Sequence, residues 1–358
     1  MELEQLSTDV TVAVGRHLSP FDLIELAYCS TQWRLLITSW RIHVKTLYLN
    51  LRGLCANSQP GTASIVIGLQ LMRRGFVHFF FYERSRDEID RIECEPARIV
   101  LRKFKSTELK CKVDGSSYKV FTTDPLDAFY EVLDHLLTLF SGPITHLSLG
   151  YVQEFLDDVV MHVLNQNRVA QCPTLAVSAG CVISHRLLKK ILDMEHLQTL
   201  HQNGILANEF KYNKPINVRI FSFPYAEWVT VETLLSLSAE LVDLGDPTVS
   251  LKDLNAVIHH WMAGTDRKLR RIAMTFPRGW AWDRDWNGER DLYEGLEMKA
   301  WDEKKSTHVR IHEYPGTIRK IDCTHGQDIQ RADGTEATVI ANSLEFQFLV
   351  WNYPSSDN

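Results

Sequence analysis

Between Thr145 and Met274 the chain alternates short apolar strands with amphipathic helices, and this alternation limits the available folds more than any other feature. The strand segments are Thr145–Leu149, Thr174–Val177, Asn217–Phe221, Glu240–Leu244 and Leu269–Met274. Helical spacing fills the intervals at Val152–Leu164, Ser184–Met194, Val229–Leu237 and Ser250–Met262. Leu147 to Leu175 is 28 residues, Val218 to Leu241 is 23 and Leu241 to Leu269 is 28. The step from Leu175 to Val218 is 43, which places an insertion near His201–Lys214. One strand–helix unit cannot bury its own apolar face, so neighbours must stack, and stacking creates a long surface suited to binding.

The flanks read differently. Thr46–Leu49 is a strand, and Ile65–Leu71 fits either helix or strand. Phe76–Tyr82 is aromatic enough to predict a buried strand. Arg98–Phe104 and Leu109–Phe121 follow as strands, with a hairpin turn at Asp114, Gly115, Ser116 and Ser117. Pro125–Phe140 predicts a helix opened by Asp124, with Phe129, Val132, Leu133, Leu136 and Leu137 inward. Near the C-terminus Asp328–Arg331 and Thr335–Ala341 flank the turn pair Asp333-Gly334. Leu344, Phe346, Phe348 and Val350 alternate as an apolar face, so a closing hairpin or sheet ends the stack.

The first forty residues form a helical module. Ser19 can cap, Pro20 fits the first helical position, and Asp22 meets the positive helix end. Ser30 can cap a further helix carrying Trp33, Leu36, Ile37 and Trp40. Leu6, Leu18, Ser19, Pro20, Phe21, Asp22, Leu23, Leu26, Ser30, Trp33 and Leu36 together resemble an F-box, although Ser7 stands where the motif usually has proline. The alternative is a three-helix structural cap closing a private core. A unit this small cannot bury so many large apolar side chains within itself, which predicts an exposed apolar face.

A second resemblance is more specific. Phe223, Pro224, Trp228, Val229, Thr230, Val231, Glu232, Leu234 and Leu235 are similar to the type-2 F-box-associated domain abundant in nematodes. Leu251, Asp253, Leu254, Asn255, His260, Trp261, Met262, Gly264 and Leu269 continue the pattern, and Asp333, Gly334, Ala337, Val350 and Trp351 resemble its C-terminal signature. The fold class that follows is mixed α/β: a three-helix F-box-like module over residues 1–42, then an irregular leucine-rich-repeat-like solenoid over 43–358 closed by a C-terminal β-hairpin or sheet. The most specific family match spans 217–275. The resemblance implies a substrate-recognition subunit of an SCF-type cullin–RING ubiquitin ligase. It would bind a Skp-type adaptor, and through it a cullin, by Leu6, Leu18, Pro20, Leu23, Leu26 and Trp33. It would hold an unknown target protein through the C-terminal domain and do no bond chemistry itself. A protein-interaction scaffold with a divergent F-box is the alternative.

Composition and motifs bound the rest. A net charge of −6 argues against a general nucleic-acid binder, and the dense basic cluster of Arg267, Lys268, Arg270 and Arg271 reads as a solvated helix end and strand edge, the alternative being a patch for an acidic partner. No apolar run approaches the roughly 18 residues of a membrane span. Seven scattered cysteines, never paired as Cys-x-x-Cys, fit free thiols and a cytoplasmic or nuclear setting. No cofactor is implied. Adjacent His259 and His260 diverge on a helix, and His308 and His312 sit on strand-like sequence, so no metal site is predicted. Asp157, Asp158, Glu294 and Glu297 read as carboxylates on solvated helix faces. Trp280, Trp282 and Trp286 lie in a polar, arginine-bearing loop. They either pack back on the last repeat or form a target-binding surface.

Overall fold

A computed structural model describes residues 13, 15, 17–51, 63–72, 74–92, 99–104, 107–150, 152–206, 210–264, 268–276, 288–300, 308–314, 317–323, 326–342 and 344–351. The chain divides into two compact units, Met1–Leu197 and Gln198–Asn358.

Two helices come first among the bounded elements described in the first unit. In α1 (Pro20–Cys29) the Ser19 hydroxyl accepts from Asp22 N at 3.2 Å, while the Asp22 carboxylate accepts from Ser19 N at 3.1 Å. This reciprocal pair satisfies donors that a helix start leaves open. In α2 (Thr31–Ser39) Ser30 accepts from Gln32 N at 3.2 Å. The strands β1 (Val44–Asn50), β2 (Ile65–Leu71), β3 (Gly75–Glu83), β4 (Ile99–Phe104), β5 (Thr107–Asp114) and β6 (Ser117–Thr122) follow, with a short helix α3 (Arg86–Arg91) between β3 and β4. Then come α4 (Pro125–Leu139), β7 (Ile144–Gly150), α5 (Asp157–Leu164), β8 (Thr174–Val177) and α6 (His185–Leu192). The strand order is β8-β7-β1-β2-β3-β6-β5-β4. β8, β7 and β1 are parallel, β1-β2-β3 run antiparallel, β3 and β6 are parallel, and β6-β5-β4 are antiparallel.

Alternation sorts the side chains of this sheet. Ile67, Leu69, Val77, Phe79, Phe81, Tyr118 and Val120 are buried on one face. Phe21 of α1 stacks on Tyr118 with ring centroids 5.1 Å apart, and Phe129 of α4 meets Phe81 edge-on at 6.4 Å. Helix α4 starts as its sequence dictates, with Asp124 accepting from Leu126 N and Asp127 N, both at 3.0 Å. Ahead of α1, Gly15 lies so close under Trp40 that an added Cβ would sit 2.0 Å from the indole, and its carbonyl accepts from Arg74 at 2.7 Å.

The second unit contains β9 (Thr199–Gln202), β10 (Ile220–Phe223), α7 (Val231–Ser236), β11 (Leu241–Gly245), α8 (Leu251–Met262), β12 (Arg271–Thr275), β13 (Lys299–Ala300), β14 (Gln327–Gln330), β15 (Glu336–Ala341) and β16 (Glu345–Trp351). β9-β10-β11-β12 are parallel and in sequence order. Antiparallel β16, β15, β14 and β13 continue from β12. His308–Tyr314 and Thr317–Asp322 pair as a separate hairpin.

The architecture is mixed α/β, as the alternation implies, but it is a mixed sheet in each unit and not a strand–helix solenoid. A solenoid stacks equivalent units that touch only their neighbours. Here the parallel stretches are short, and each gives way to antiparallel hairpins. The 43-residue step is explained by β9, which starts just before the segment that the spacing reads as an insertion and runs into it. His201 and Gln202 hide this strand from any apolar pattern, although Gln202 is fully buried. The predicted boundary near residue 42 falls within the first compact unit, because α1 and α2 pack on its sheet and on α4.

Candidate interaction surfaces

The predicted adaptor-binding residues divide by environment. Leu6 lies outside the described residues. Leu18 and Leu26 are half-buried and Pro20 is buried. Leu23 is 0% exposed and Trp33 5%, together with Ile24, Ala27 and Ile37. The size argument for an exposed apolar face therefore needs correcting, since α1 and α2 borrow their core from β2, β3 and α4. Tyr28 stacks on His135 of α4 at 5.2 Å, Ser141 Oγ donates to the Thr38 carbonyl at 2.7 Å, and the Tyr118 hydroxyl donates to Glu25. What this pair offers to solvent is Leu35, which is 66% exposed, with Thr31, Gln32 and Arg34 beside it on α2 and Asp22 and Cys29 on α1.

In the second unit, the residues that carry the more specific resemblance build structure. Trp228 meets Phe210 at 4.9 Å, Phe223 at 5.5 Å and Phe221 at 6.2 Å, each edge-on. The turn after β10 is equally tight. Gly245 ends β11 where a Cβ would lie 2.0 Å from the Pro224 carbonyl oxygen, and its own carbonyl accepts from Ala226 N at 2.7 Å. Ser250 and Asp253 form a reciprocal cap on α8. From α8, Trp261 packs edge-on against Phe348 at 5.2 Å and carries the Arg331 guanidinium 4.9 Å from its ring.

Arg331 in turn grips Asp333, with Nη2 to Oδ2 at 2.7 Å. That contact, with Thr335 hydroxyl and N–H donors, holds the Asp333 carboxyl well below the usual carboxylate range. Gly334 has φ +87, as its turn requires. The Trp351 indole donates to Thr338 Oγ1 at 2.7 Å, and Thr338 donates to buried Asp328 at 2.6 Å. Sequence reasoning gives Arg331 no role. Its position two residues before Asp333 is the signal that could have revealed the clamp.

The remaining candidates resolve simply. Trp280, Trp282, Trp286 and Arg267 lie outside the described residues, as do the side chains of His308 and His312. Arg270 and Arg219 each lie 3.9 Å from Glu240, and Arg271 is buried. Asp158 is exposed and pairs with Arg186 at 2.8 Å. Asp157 departs from the solvated-face reading: it is buried and accepts from the Ser184 hydroxyl, which itself caps α6 by accepting from Leu187 N at 3.1 Å. Glu294 and Glu297 are exposed, and the Glu294 carbonyl lies 3.0 Å from His259 Nε2. Burial pushes the Cys172 thiol up to about 11, far from a reactive thiolate. Among the described residues no group of three or more His, Cys, Asp or Glu could hold a metal ion, and no described helix is long and apolar enough to cross a membrane.

Two uncharacterized proteins of Caenorhabditis elegans are similar to this chain. One is 23% identical over 231 residues, covering 63% of this chain and 50% of the relative, so the chain spans about half that relative's length. The other is 22% identical over 357 residues, covering 94% of this chain and 75% of the relative. No solved structure matches. The segment holding the Trp228 cluster, the Pro224–Gly245 contact and α8, residues 205–274, matches the F-box associated family.

Proposed function

We propose that this chain is a non-catalytic substrate-recognition subunit of an SCF-type cullin–RING ubiquitin ligase. The observation that carries the reading is the F-box associated match at 205–274, preceded in the chain by a doubly capped helix pair in the F-box position. In this reading the helix pair meets a Skp-type adaptor and the second unit holds a target protein. Ubiquitin transfer is then accelerated by proximity and orientation. Leu23 and Trp33 position the helices from beneath, while Leu18, Leu26 and Leu35 are the apolar groups within an adaptor's reach.

The test is co-purification of the full chain with a Skp-type adaptor, comparing wild type with Leu35→Asp and Leu26→Asp. Both changes spare the fully buried core. A stoichiometric complex that these variants lose supports the ligase reading. A folded wild-type chain that binds no adaptor overturns it and leaves the second reading, an interaction scaffold without ligase assembly. The burial of Leu23 and Trp33 in the chain's own core favours that second reading.

A further inference from the structure

The face of the first unit's sheet opposite α1 and α4 carries a different chemistry. Along β3, Phe76, His78, Phe80 and Tyr82 point to this side, Phe76 exposed and the others half-buried. Phe76 and His78 are nearly parallel at 5.9 Å, and Phe80 continues the ladder 5.9 Å from His78. Tyr82 stacks on Phe121 of β6 at 5.6 Å with the Arg84 guanidinium 5.9 Å from its ring. Gly68 lies beside His78 in register, and a Cβ there would come within 3.0 Å of the imidazole. The ring thus covers bare backbone. Burial lowers the His78 pKa, which favours the neutral ring.

Cations flank the ladder. Lys119 lies opposite Phe80 across β3 and β6, and Lys112 lies opposite Lys119 across β5 and β6. Like charges directly opposite in a sheet are destabilising. Lys119 is offset by exposed Asp114 at 3.1 Å, whereas Lys112 has no ion-pair partner among the described residues. Asp114 is the one carboxylate among the described strand side chains of this face, and α3 brings exposed Asp87, Glu88 and Asp90 to its edge. Lys110, on the same side, donates to the Ile89 carbonyl at 2.8 Å. Polar groups border the rings: Asn50 donates to the Tyr48 hydroxyl at 2.9 Å, and Thr46 to Gln70 at 3.2 Å. The chain is acidic as a whole, with net charge −6, whereas the described strand side chains of this face set Lys110, Lys112 and Lys119 against Asp114.

We propose that this face binds single-stranded nucleic acid, with bases against Phe76, His78, Phe80 and Tyr82 and phosphates over Lys112 and Lys119. Aromatic rings on a sheet bordered by lysines match what a flexible polyanion with flat bases requires. An acidic peptide would use the lysines and leave the ladder without a role. The proposal stands apart from the ligase reading.

The experiment is fluorescence anisotropy of labelled oligouridine RNA and oligothymidine DNA, each about twelve nucleotides, with the full chain at about 50 and 200 mM salt. Binding that weakens with salt is expected. Phe80→Ala combined with Tyr82→Ala should reduce affinity about tenfold or more, and Lys112→Gln should lower the salt slope by about one. Lys112→Gln removes a like-charge pair, so its thermal unfolding should match or exceed wild type and loss of binding cannot be assigned to misfolding. A preference for RNA assigns contacts to the 2′-hydroxyl, and equal binding assigns stacking and phosphate contacts alone. No anisotropy change at low salt overturns the proposal. So does binding that survives loss of Phe80 and Tyr82 while polyglutamate competes it away, which would assign the face to an acidic protein segment.

Discussion

The two units use aromatic residues in opposite ways. In the second unit Phe221, Phe223, Trp228, Trp261 and Phe348 turn inward and interlock edge to face. In the first, β3 splits its aromatics between faces: Phe79 and Phe81 enter the core, while Phe76, Phe80 and Tyr82 line the side away from α1 and α4. Composition alone treats these residues alike. A period of two sends neighbours to opposite faces, and the helices that pack on one face decide which set is core. A tryptophan-rich motif in the second unit is therefore evidence of fold, while an aromatic strand in the first leaves surface to be used.

The sharpest way to break this comparison is to delete rings on each side of it. Trp261→Ala should lower unfolding free energy by about 3–5 kcal/mol, and Phe79→Ala by a similar amount, in chemical denaturation. Loss of under about 1 kcal/mol at Trp261 would show that the α8–Arg331 contact is peripheral. Ser250→Ala removes the α8 cap and should cost about 1 kcal/mol with no change in fold by circular dichroism.

The Asp333 clamp gives a pH test. Its carboxyl is held below its unfolded value chiefly by Arg331, so its stabilisation is complete above the ordinary carboxylate pKa and is lost as pH falls toward the folded value. Wild type should therefore lose more stability than Asp333→Asn between about pH 5 and 2. Equal slopes in pH-resolved thermal melts would show that the clamp contributes nothing. Smallest of all, Phe76→Ala should change stability by less than about 0.5 kcal/mol. A larger loss would place Phe76 in a core and weaken the contrast between the faces.

Local chemistry was the legible part of this molecule. Ser19 with Asp22, Asp124 with Pro125, and the turns at Gly115 and Gly334 all do in the structure what their residue types favour, because caps and turns depend on a few adjacent groups. Strand direction was not legible. Periodicity reports which face is buried and nothing about which strand lies alongside, so the spacing from Thr145 onward reads as a repeat, although it continues only as short parallel stretches. Thr199–Gln202 escaped because three of its four residues are polar, and Asp157 because its partner Ser184 lies far along the chain. At the candidate site, Leu23 and Trp33 were recognisable as a helical pattern, but their burial depends on β2, β3 and α4, which the pattern cannot see.

Gly15 beneath Trp40, with its carbonyl held by Arg74 from the turn between β2 and β3, bears on modularity. A detachable docking cassette can be transplanted, with its host left whole. Here excision of the first forty residues would strip helices from the sheet and expose Phe79, Tyr118 and the buried side of α4 to water. The excised piece would carry Leu23 and Trp33 without the sheet and α4 on which their helices pack. Chimeras that exchange this segment between carriers should therefore aggregate on both sides of the junction, unless the sheet travels with it.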